Sequence, residues 1–295
     1  MREPYTMPPL WQDRGNEDIQ FVMSATSPFP ERIVCLTEET TETLYLLGEE
    51  RRIVGISGFT VRPARARKEK PRVSAFTSAN FDKIVALRPD LVLGFSDLQA
   101  DIAAELIRRG IAVHIFNQRS ISGIFCMIRM LGGMVGCEAK AASLVGDMQS
   151  QLEQVAAGAR ALPCKPRVYF EEWNDPLISG IHWVSELIEL AGGVDCFAEL
   201  GREPLAKNRI IADPLEVARR APDIIFGSWC GKRFRPESVA ARPGWADIPA
   251  VRDAEIHEIK SPMILQPGPA ALGDGGRCMH GFIRNWARRR AAARD

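Results

Sequence analysis

The chain has 295 residues, of which 46% are hydrophobic and 25% are charged, and its formal net charge is +1. This composition is typical of a globular protein with a sizeable core, and the near-neutral charge argues against binding to nucleic acid or to an anionic membrane surface. No apolar run approaches the ~20 residues of a membrane-spanning helix, so we expect no membrane insertion. Seven widely spaced cysteines without a C-x-x-C pair indicate a reducing compartment.

The N-terminal segment, residues 1–30, is rich in proline and polar residues and is predicted to be an irregular arm. A secretory signal consists of a basic region followed by an apolar stretch, and this segment lacks that pattern. We therefore expect a cytoplasmic location for the sequence as it stands, or a periplasmic one if the true start lies upstream.

Two parts of the chain then repeat the same order of elements. Residues 31–137 open with a short β-rich run, continue with a helix that ends at glycine, and carry an apolar strand after the Pro-Asp pair at Pro89. Residues 163–295 repeat this order, with the second Pro-Asp pair at Pro222. Strands that alternate with helices indicate parallel sheets. We therefore predict the α/β class, with two Rossmann-like lobes.

The stretch 138–162 lies between these parts and is predicted to form one long helix. It contains no proline, is rich in Ala, Leu, Gln and Glu, and carries Val145, Met148 and Leu152 at helical spacing. At about 1.5 Å per residue it would extend for roughly 37 Å before Pro163 ends it. We expect this backbone helix to join the two lobes. The alternative is one continuous α/β domain whose halves are alike by coincidence.

Two basic segments stand out. Arg62 and Arg65 belong to the loop 58–72, which is expected to be solvated; in the alternative, one of these arginines reaches an anionic group of a ligand. The tail 284–294 completes a final helix that opens at Pro269, and it is expected to be a solvated terminus.

No catalytic constellation is recognisable in the sequence. It lacks a P-loop, a G-x-S-x-G elbow, an H-E-x-x-H helix and a Cys/His set at zinc spacing. We therefore predict that the protein is not an enzyme and has no catalytic cofactor. Of its four histidines, His114 and His257 lie in strand patterns and are expected to be structural or surface groups.

Aromatic residues recur in the segments that follow strands or precede helices, in both lobes. Ligands of α/β proteins bind beyond the carboxyl ends of the strands, and flat side chains on both sides of a cleft suit a large, flat, amphipathic ligand. For any one of them, packing in the core is the alternative. These predicted ligand-binding residues are Phe59, Phe76, Phe95, Trp173, Trp183 and Trp229.

A series of motifs covers residues 31–285, and their order and spacing is more specific than any one of them. The motifs are Arg32–Leu36, Thr41-Glu42, Leu47-Gly48, Val73–Val92, His182–Gly193, Ala221–Ile225, Pro243–Val251 and Pro267–Pro269. This pattern resembles the cobalamin-binding branch of the class III substrate-binding proteins of ABC transporters, a group that also contains siderophore and haem binders.

The resemblance implies a soluble binder that holds cobalamin, another corrinoid or a similar metal chelate between two lobes. Phe76 occupies the position of a tryptophan that lies against the corrin, and Phe59, Phe95 and Trp173 match further positions in the cleft. His182 would ligate a cobalt or iron centre, or else serve as hydrogen-bonded scaffolding.

Three other functions stay open beside the corrinoid binder. The first is a siderophore or haem binder, in which Arg62 and Arg65 pair with ligand carboxylates. The second is a cytoplasmic protein that handles corrinoids without a permease, including an enzyme that modifies them. The third is a scaffold with an empty cleft.

Docking to an ABC permease is implied by the resemblance, but two positions depart from its pattern. Members coupled to a permease carry an acidic residue, usually Glu, on each lobe. Here the first position holds Asp82, and the second falls at Leu215 with Asp213 and Glu216 beside it. We predict Asp82 and Glu216 as docking residues, although the missing charge at Leu215 weighs against docking.

Overall fold

The computed structural model describes residues 27–293. Most of the predicted arm, residues 1–26, lies outside the described residues, and residues 27–30 form no helix or strand. Within the described part of the chain, no helix is both long enough and apolar enough to cross a bilayer.

The first lobe is built on a five-stranded sheet in which every neighbouring pair of strands is parallel. Its strands are β1 (Ile33–Cys35), β2 (Ile53–Ser57), β3 (Arg72–Ser74), β4 (Leu91–Phe95) and β5 (Val113–Phe116). Its helices are α1 (Glu38–Leu46), α2 (Ala66–Glu69), α3 (Phe81–Ala86) and α4 (Ala100–Arg108). The strand order is β3-β2-β1-β4-β5.

Both faces of this sheet are covered. Ile33 and Cys35 pack into one apolar cluster, whereas Val34 packs into another together with Ile84 of α3 and Ile102 of α4. Successive strand residues point to opposite faces, so a strand that is buried on both faces must be apolar throughout. This explains the continuous Ile-Val-Cys run of β1.

The second lobe has a mixed sheet of order β10-β9-β6-β7, with β8 paired to β6. Its strands are β6 (Arg167–Asn174), β7 (Leu177–Ser179), β8 (Val194–Asp195), β9 (Ile224–Gly227) and β10 (Ile256–Glu258). Only β7 runs antiparallel to its neighbour, because two residues join it to β6 and a connection that short permits no crossover. The prediction of a wholly parallel second sheet is corrected in this one strand.

Helices connect and surround these strands. They are α5 (Ile121–Met134), α6 (Glu138–Arg160), α7 (His182–Leu190), α8 (Ala198–Gly201), α9 (Leu215–Arg220), α10 (Pro236–Ala240), α11 (Pro249–Arg252), α12 (Ser261–Ile264) and α13 (Gly276–Ala292). A π-helical turn, Ala271–Gly275, directly precedes α13.

The long helix α6 has 23 residues, or about 35 Å, and it separates the two sheets in the chain. Val145, Met148, Leu152 and Val155 form its buried stripe. It packs against α5 on one side and against α13 on the other. The predicted α/β fold, with two lobes and one long backbone helix, is therefore confirmed.

Three segments differ from expectation. Trp173 lies on β6 rather than in a loop, because β6 continues past Phe170 and pairs there with β7. The basic loop 58–72 contains the single helical turn of α2. The tail is helical as far as Ala292, because Trp286 faces the core from α13.

Candidate functional site

Residues beyond the carboxyl ends of both sheets lie where ligands of α/β proteins bind. We call the space between these two sets of residues the cleft. Its N-terminal wall consists of residues that follow β1 to β5, and its C-terminal wall consists of residues 172–174 and 228–232. The pKa of Cys230, after β9, is raised by burial and further by the charges of Glu172 and Glu38.

Four contacts join the lobes beside the cleft. The Gln118 side chain donates a hydrogen bond to the carbonyl of Pro267 (2.8 Å), and the Ile121 amide donates one to the carboxylate of Glu186 (2.7 Å). Arg62 forms a 2.8 Å ion pair with Asp274, and the amide of Ala270 donates to Glu42 at 3.0 Å. In both of these contacts, the first-lobe residue (Arg62 or Glu42) meets a residue of the segment that precedes α13.

On the N-terminal wall, Phe76 and Phe95 are held by the fully buried side chain of Gln99. Its Oε1 accepts a hydrogen bond from the amide of Phe95 (2.9 Å), and its Nε2 donates one to the carbonyl of Phe76 (2.8 Å). The Arg119 guanidinium lies 5.0 Å from the centre of the Phe95 ring. Phe95 itself is buried, and the Arg119 guanidinium lies over one face of its ring. The sequence analysis missed both Gln99 and Arg119.

On the C-terminal wall, the structure brings Trp173 and Trp229 together around Lys232. Its ammonium lies 5.6 Å from the Trp173 ring centre and 5.4 Å from the Trp229 ring centre. It also donates a hydrogen bond to the side chain of Asn174 at 2.9 Å. The ring of Trp173 is partly exposed, whereas that of Trp229 is buried. The sequence analysis did not single out Lys232.

Trp229 is fixed by the buried carboxylate of Glu171. The Trp229 indole donates to Oε1 at 3.0 Å, and the Arg242 guanidinium donates to both oxygens at 2.6 and 2.8 Å. The hydroxyl of Tyr169 completes the set at 3.1 Å, and its pKa is raised well above the ordinary value by burial and by the charge of Glu171. A fully paired buried carboxylate of this kind holds its neighbours in one geometry.

Charged groups of the two lobes also influence each other electrostatically. Arg209 is buried in the second lobe and donates to Glu172 at 2.6 and 3.1 Å. Burial lowers the pKa of Arg119, and the charge of Arg209 lowers it further, while Asp97 and Glu172 act in the opposite direction. Arg119 therefore lies within electrostatic reach of the opposite wall.

Two buried glutamates open α1 at the end of β1. The Val61 amide donates a hydrogen bond to Oε2 of Glu38 (2.9 Å), and the Thr37 hydroxyl donates one to Oε1 of Glu39 (2.6 Å). Burial raises the pKa of Glu38 to about 8 and that of Glu39 to about 7. The sequence indicates only a helix start here, because acidic residues are common in the first turn of a helix. The burial of Glu38 and Glu39 depends on tertiary packing and cannot be read from this pattern.

The remaining predicted ligand residues have different surroundings. Phe59 is 51% exposed, at the turn after β2. Trp183 lies in the core, where its indole donates to the carbonyl of Ile264 (2.9 Å), so its placement gives no support to ligand contact. Arg62 is occupied by Glu42 and Asp274, at 2.8 Å each, rather than free for an anionic ligand.

His182, the predicted metal ligand, begins α7. Its Nε2 lies 3.8 Å from Oε1 of Glu186, and its side chain is partly exposed. Within residues 27–293, no group of three or more His, Cys, Asp and Glu side chains is placed to hold a metal ion. Metal ligation would therefore depend on His182 together with donors of the chelate itself.

The two predicted docking residues differ in their exposure and in their ion pairs. The side chain of Asp82 is 96% exposed, and within residues 27–293 its one ion pair is with Arg109, at 3.3 Å. Glu216 is held by Arg219 (2.7 Å) and Arg220 (2.9 Å), so both of its oxygens are occupied. Leu215 beside it is exposed.

A family model described as periplasmic binding protein matches residues 33–263. The chain belongs to this family. It is 25% identical over 270 residues to an uncharacterized ABC transporter substrate-binding lipoprotein of Bacillus subtilis, which covers 88% of this chain and 81% of the relative. It is 24% identical over 249 residues to a vitamin B12-binding protein of Vibrio vulnificus, covering 82% of this chain and 86% of the relative.

Among solved structures, this chain is similar to a periplasmic heme-binding protein of Roseiflexus. The TM-score is 0.72 at 23% identity, over 86% of this chain and 99% of that one. The likeness shows the shared fold. The names of these relatives describe binding proteins.

Proposed function

We propose that this protein binds cobalamin or another corrinoid in the cleft between its lobes and performs no chemistry on it. The observation that carries the proposal is that partly exposed aromatic side chains lie near strand ends of both lobes. Phe76 follows β3 in the first lobe, and Trp173 lies near the end of β6 in the second. Trp229 is buried and contributes to the second wall through its bond to Glu171. A planar ligand between Phe76 and Trp173 would exchange water for ring faces on both sides.

The relatives support a metal chelate as the ligand class. One is named for vitamin B12 and another for heme, and both ligands are large, flat macrocycles around a metal. A nanomolar complex requires about 12 kcal/mol of binding free energy. Aromatic side chains that bury on the order of 150–250 Å² each are the groups in this cleft best suited to supply it.

A haem-type or siderophore-type chelate is the second candidate, and the cations of the cleft favour it. Arg119 and Lys232 would pair with ligand carboxylates in place of the engaged Arg62 and Arg65. An affinity that falls steeply with salt concentration would support this candidate, because pairs between partly exposed charges are screened.

His182 as an axial ligand of the bound metal belongs to the same proposal. Its partly exposed imidazole lies at the start of α7, where Glu186 is the nearest acid. A neutral imidazole is a common ligand of cobalt and iron. The visible spectrum of bound hydroxocobalamin should then change in His182→Ala, and an unchanged spectrum would contradict ligation.

We further propose that an ABC permease receives the ligand, since the Bacillus subtilis relative is named for that role. Asp82 is an exposed acidic group on the first lobe with one long pair to Arg109, whereas Glu216 would have to leave two arginines before it could dock. Docking through the second lobe would therefore need another group there. We expect Asp82→Ala to weaken binding to the permease more than Glu216→Ala does.

The decisive experiment is a thermal shift with cyanocobalamin, hydroxocobalamin, cobinamide, haem and ferric siderophores. A ligand at a hundred times its Kd stabilises the protein by about 2.7 kcal/mol, which raises Tm by several degrees. Phe76→Ala and Trp173→Ala should reduce the corrinoid shift, whereas Ile107→Ala, at an exposed position of α4, should not. The absence of a shift with any corrinoid would overturn the proposal.

A further inference from the structure

Glu38 and Glu39 each carry a buried oxygen without a hydrogen-bond partner. Oε1 of Glu38 and Oε2 of Glu39 find no donor within residues 27–293, although the two residues are only 3% and 1% exposed. Buried polar atoms in folded proteins nearly always have partners. Two unpartnered carboxylate oxygens in one helical turn therefore call for a donor from outside the chain.

A third atom without a partner lies beside them on a separate segment. The hydroxyl of Thr60 is fully buried and has no partner among the described residues. Thr60 directly precedes Val61, whose amide donates to the other oxygen of Glu38 (2.9 Å). The turn after β2 thus brings an unsatisfied hydroxyl to the unsatisfied carboxylate at the end of β1.

These groups lie beyond the carboxyl ends of β1 and β2, the edge at which ligands of α/β proteins bind. The charge of Glu38 contributes to the raised pKa of Cys230 after β9. The Ser228 hydroxyl, at the end of β9, is also buried and has no partner in the described part of the chain. Behind Glu39 the chain closes tightly, because a Cβ on Gly268 would lie 2.5 Å from the Glu39 Cβ. A donor would therefore approach from the carboxyl edge of the sheet, which borders the cleft.

The nearby charges do not supply that donor. Arg62 is the cation that acts on the pKa of Glu38, and its guanidinium is already paired with Glu42 and Asp274 at 2.8 Å each. Glu42 in turn accepts the Ala270 amide at 3.0 Å. Glu42 is thus fully engaged, whereas its two neighbours in α1 are not.

We propose that Glu38, Glu39 and Thr60 form a polar subsite that accepts hydrogen bonds from amide N–H groups on the edge of the bound chelate. The inference rests on the proposed function and narrows its ligand class. Corrinoids carry neutral amide side chains, whereas haem carries carboxylates. A ligand carboxylate has no N–H to donate to the unpartnered oxygens of Glu38 and Glu39, so the subsite favours amide-bearing chelates.

Proton release gives the subsite a signature of its own. Burial keeps Glu38 largely protonated at neutral pH, and Glu39 and Glu42 act in the same direction while Arg62 opposes them. An N–H donor favours the ionised carboxylate. Binding of an amide-bearing ligand at pH 7 therefore expels protons, and the subsite variants do not.

The test uses calorimetry of the whole chain with cobinamide and with its monocarboxylate derivatives, in buffers of different ionisation heat. We expect the wild type to prefer the amide ligand by about tenfold or more, in line with hydrogen bonds to charged groups, and to release protons. In Glu38→Gln/Glu39→Gln both the preference and the proton release should disappear. Glu153→Gln, at an exposed position of α6, serves as the control.

The outcomes separate the two proposals. If the wild type and the double variant bind cobinamide with the same preference and the same proton release, the subsite is overturned and the corrinoid proposal stands. If the wild type binds no corrinoid, both are overturned. Should the double variant not fold, Glu38→Gln and Thr60→Val take its place. An unchanged amide preference in both single variants would overturn the subsite.

Discussion

At the scale of single residues, burial decides what a carboxylate contributes. Glu171 is fully buried and is satisfied by Arg242, Tyr169 and Trp229. Glu216 has comparable ion pairs on the surface of α9. The two look alike in the sequence, but only the first would leave buried groups without partners if it were removed.

We predict that Glu171→Ala lowers the free energy of unfolding by about 3–5 kcal/mol, because it leaves the half-buried Arg242 without its counter-charge. Glu216→Ala should cost less than about 1 kcal/mol, since solvent already screens its pairs. Urea denaturation of both variants measures the difference. Equal losses would contradict a structural role for the buried network.

The raised pKa of Glu38 predicts a dependence of stability on pH. Its pKa is about 8 in the folded protein, against an ordinary value of 4.5. Between these values the folded state binds a proton that the unfolded state has lost, so stability falls as pH rises through this window. We expect the wild type to lose about 2 kcal/mol or more between pH 5.5 and 8.5, from a shift of several pKa units.

Glu38→Gln provides the comparison for this loss. Glutamine cannot ionise, so the variant should lose less stability over the same pH range, as measured by urea denaturation at each pH. Part of the loss remains with Glu39, whose pKa is also raised, to about 7. Parallel pH profiles of the wild type and the variant would show that Glu38 titrates normally.

At the scale of elements, the junction of α5 and α6 depends on one of two adjacent glycines. A Cβ on Gly132 would lie 2.3 Å from the Cβ of Ala141, so the two helices touch at this point. A Cβ on Gly133 would meet nothing within 4 Å. The close contact sets how the first lobe joins the backbone helix.

We predict opposite effects of alanine at these neighbours. Gly132→Ala should destabilise the protein by about 1–3 kcal/mol, because the core is overpacked. Gly133→Ala should stabilise it by roughly 0.5–1 kcal/mol, since alanine has the higher helix propensity and the space is free. Thermal unfolding checks both, and a stable Gly132→Ala variant would mean that the helices can separate without cost.

At the scale of the whole molecule, a few contacts between residues far apart in sequence fix the lobes relative to each other. The carboxylate of Glu186 accepts the amide of Ile121, the first residue of α5, at 2.7 Å. The first amides of a helix have no partner within it, so this bond satisfies one of them from the other lobe. It also places an acid at the positive end of the α5 dipole.

We predict that Glu186→Ala accelerates hydrogen exchange at the start of α5 and costs about 1 kcal/mol, the usual value of one such bond. Glu153→Ala should leave the exchange of α5 unchanged, because Glu153 pairs only with Arg160 at the far end of α6. Mass spectrometry of exchanging peptides is the measurement. Equal exchange in both variants would show that this contact does not hold the lobes.

Much of the fold could be predicted because its signals are local. The apolar run of β1, the Pro-Asp pairs and the uninterrupted stretch of α6 identify these elements without reference to distant residues. The antiparallel strand β7 escaped prediction, since no local apolar pattern marks it and its pairing with β6 defines it. The continuation of β6 through Trp173 escaped as well, because pairing with β7 rather than propensity extends it.

The sequence by itself determined the α/β class, the two lobes, the long helix, and the aromatic residues at strand ends. These follow from periodicity and from the chain's own stop signals. Only the tertiary structure decided that Trp183 packs in the core, that Arg62 pairs with Asp274, and that Glu38 is buried with a free oxygen. Burial and pairing depend on groups brought together from both lobes, and no local pattern encodes them.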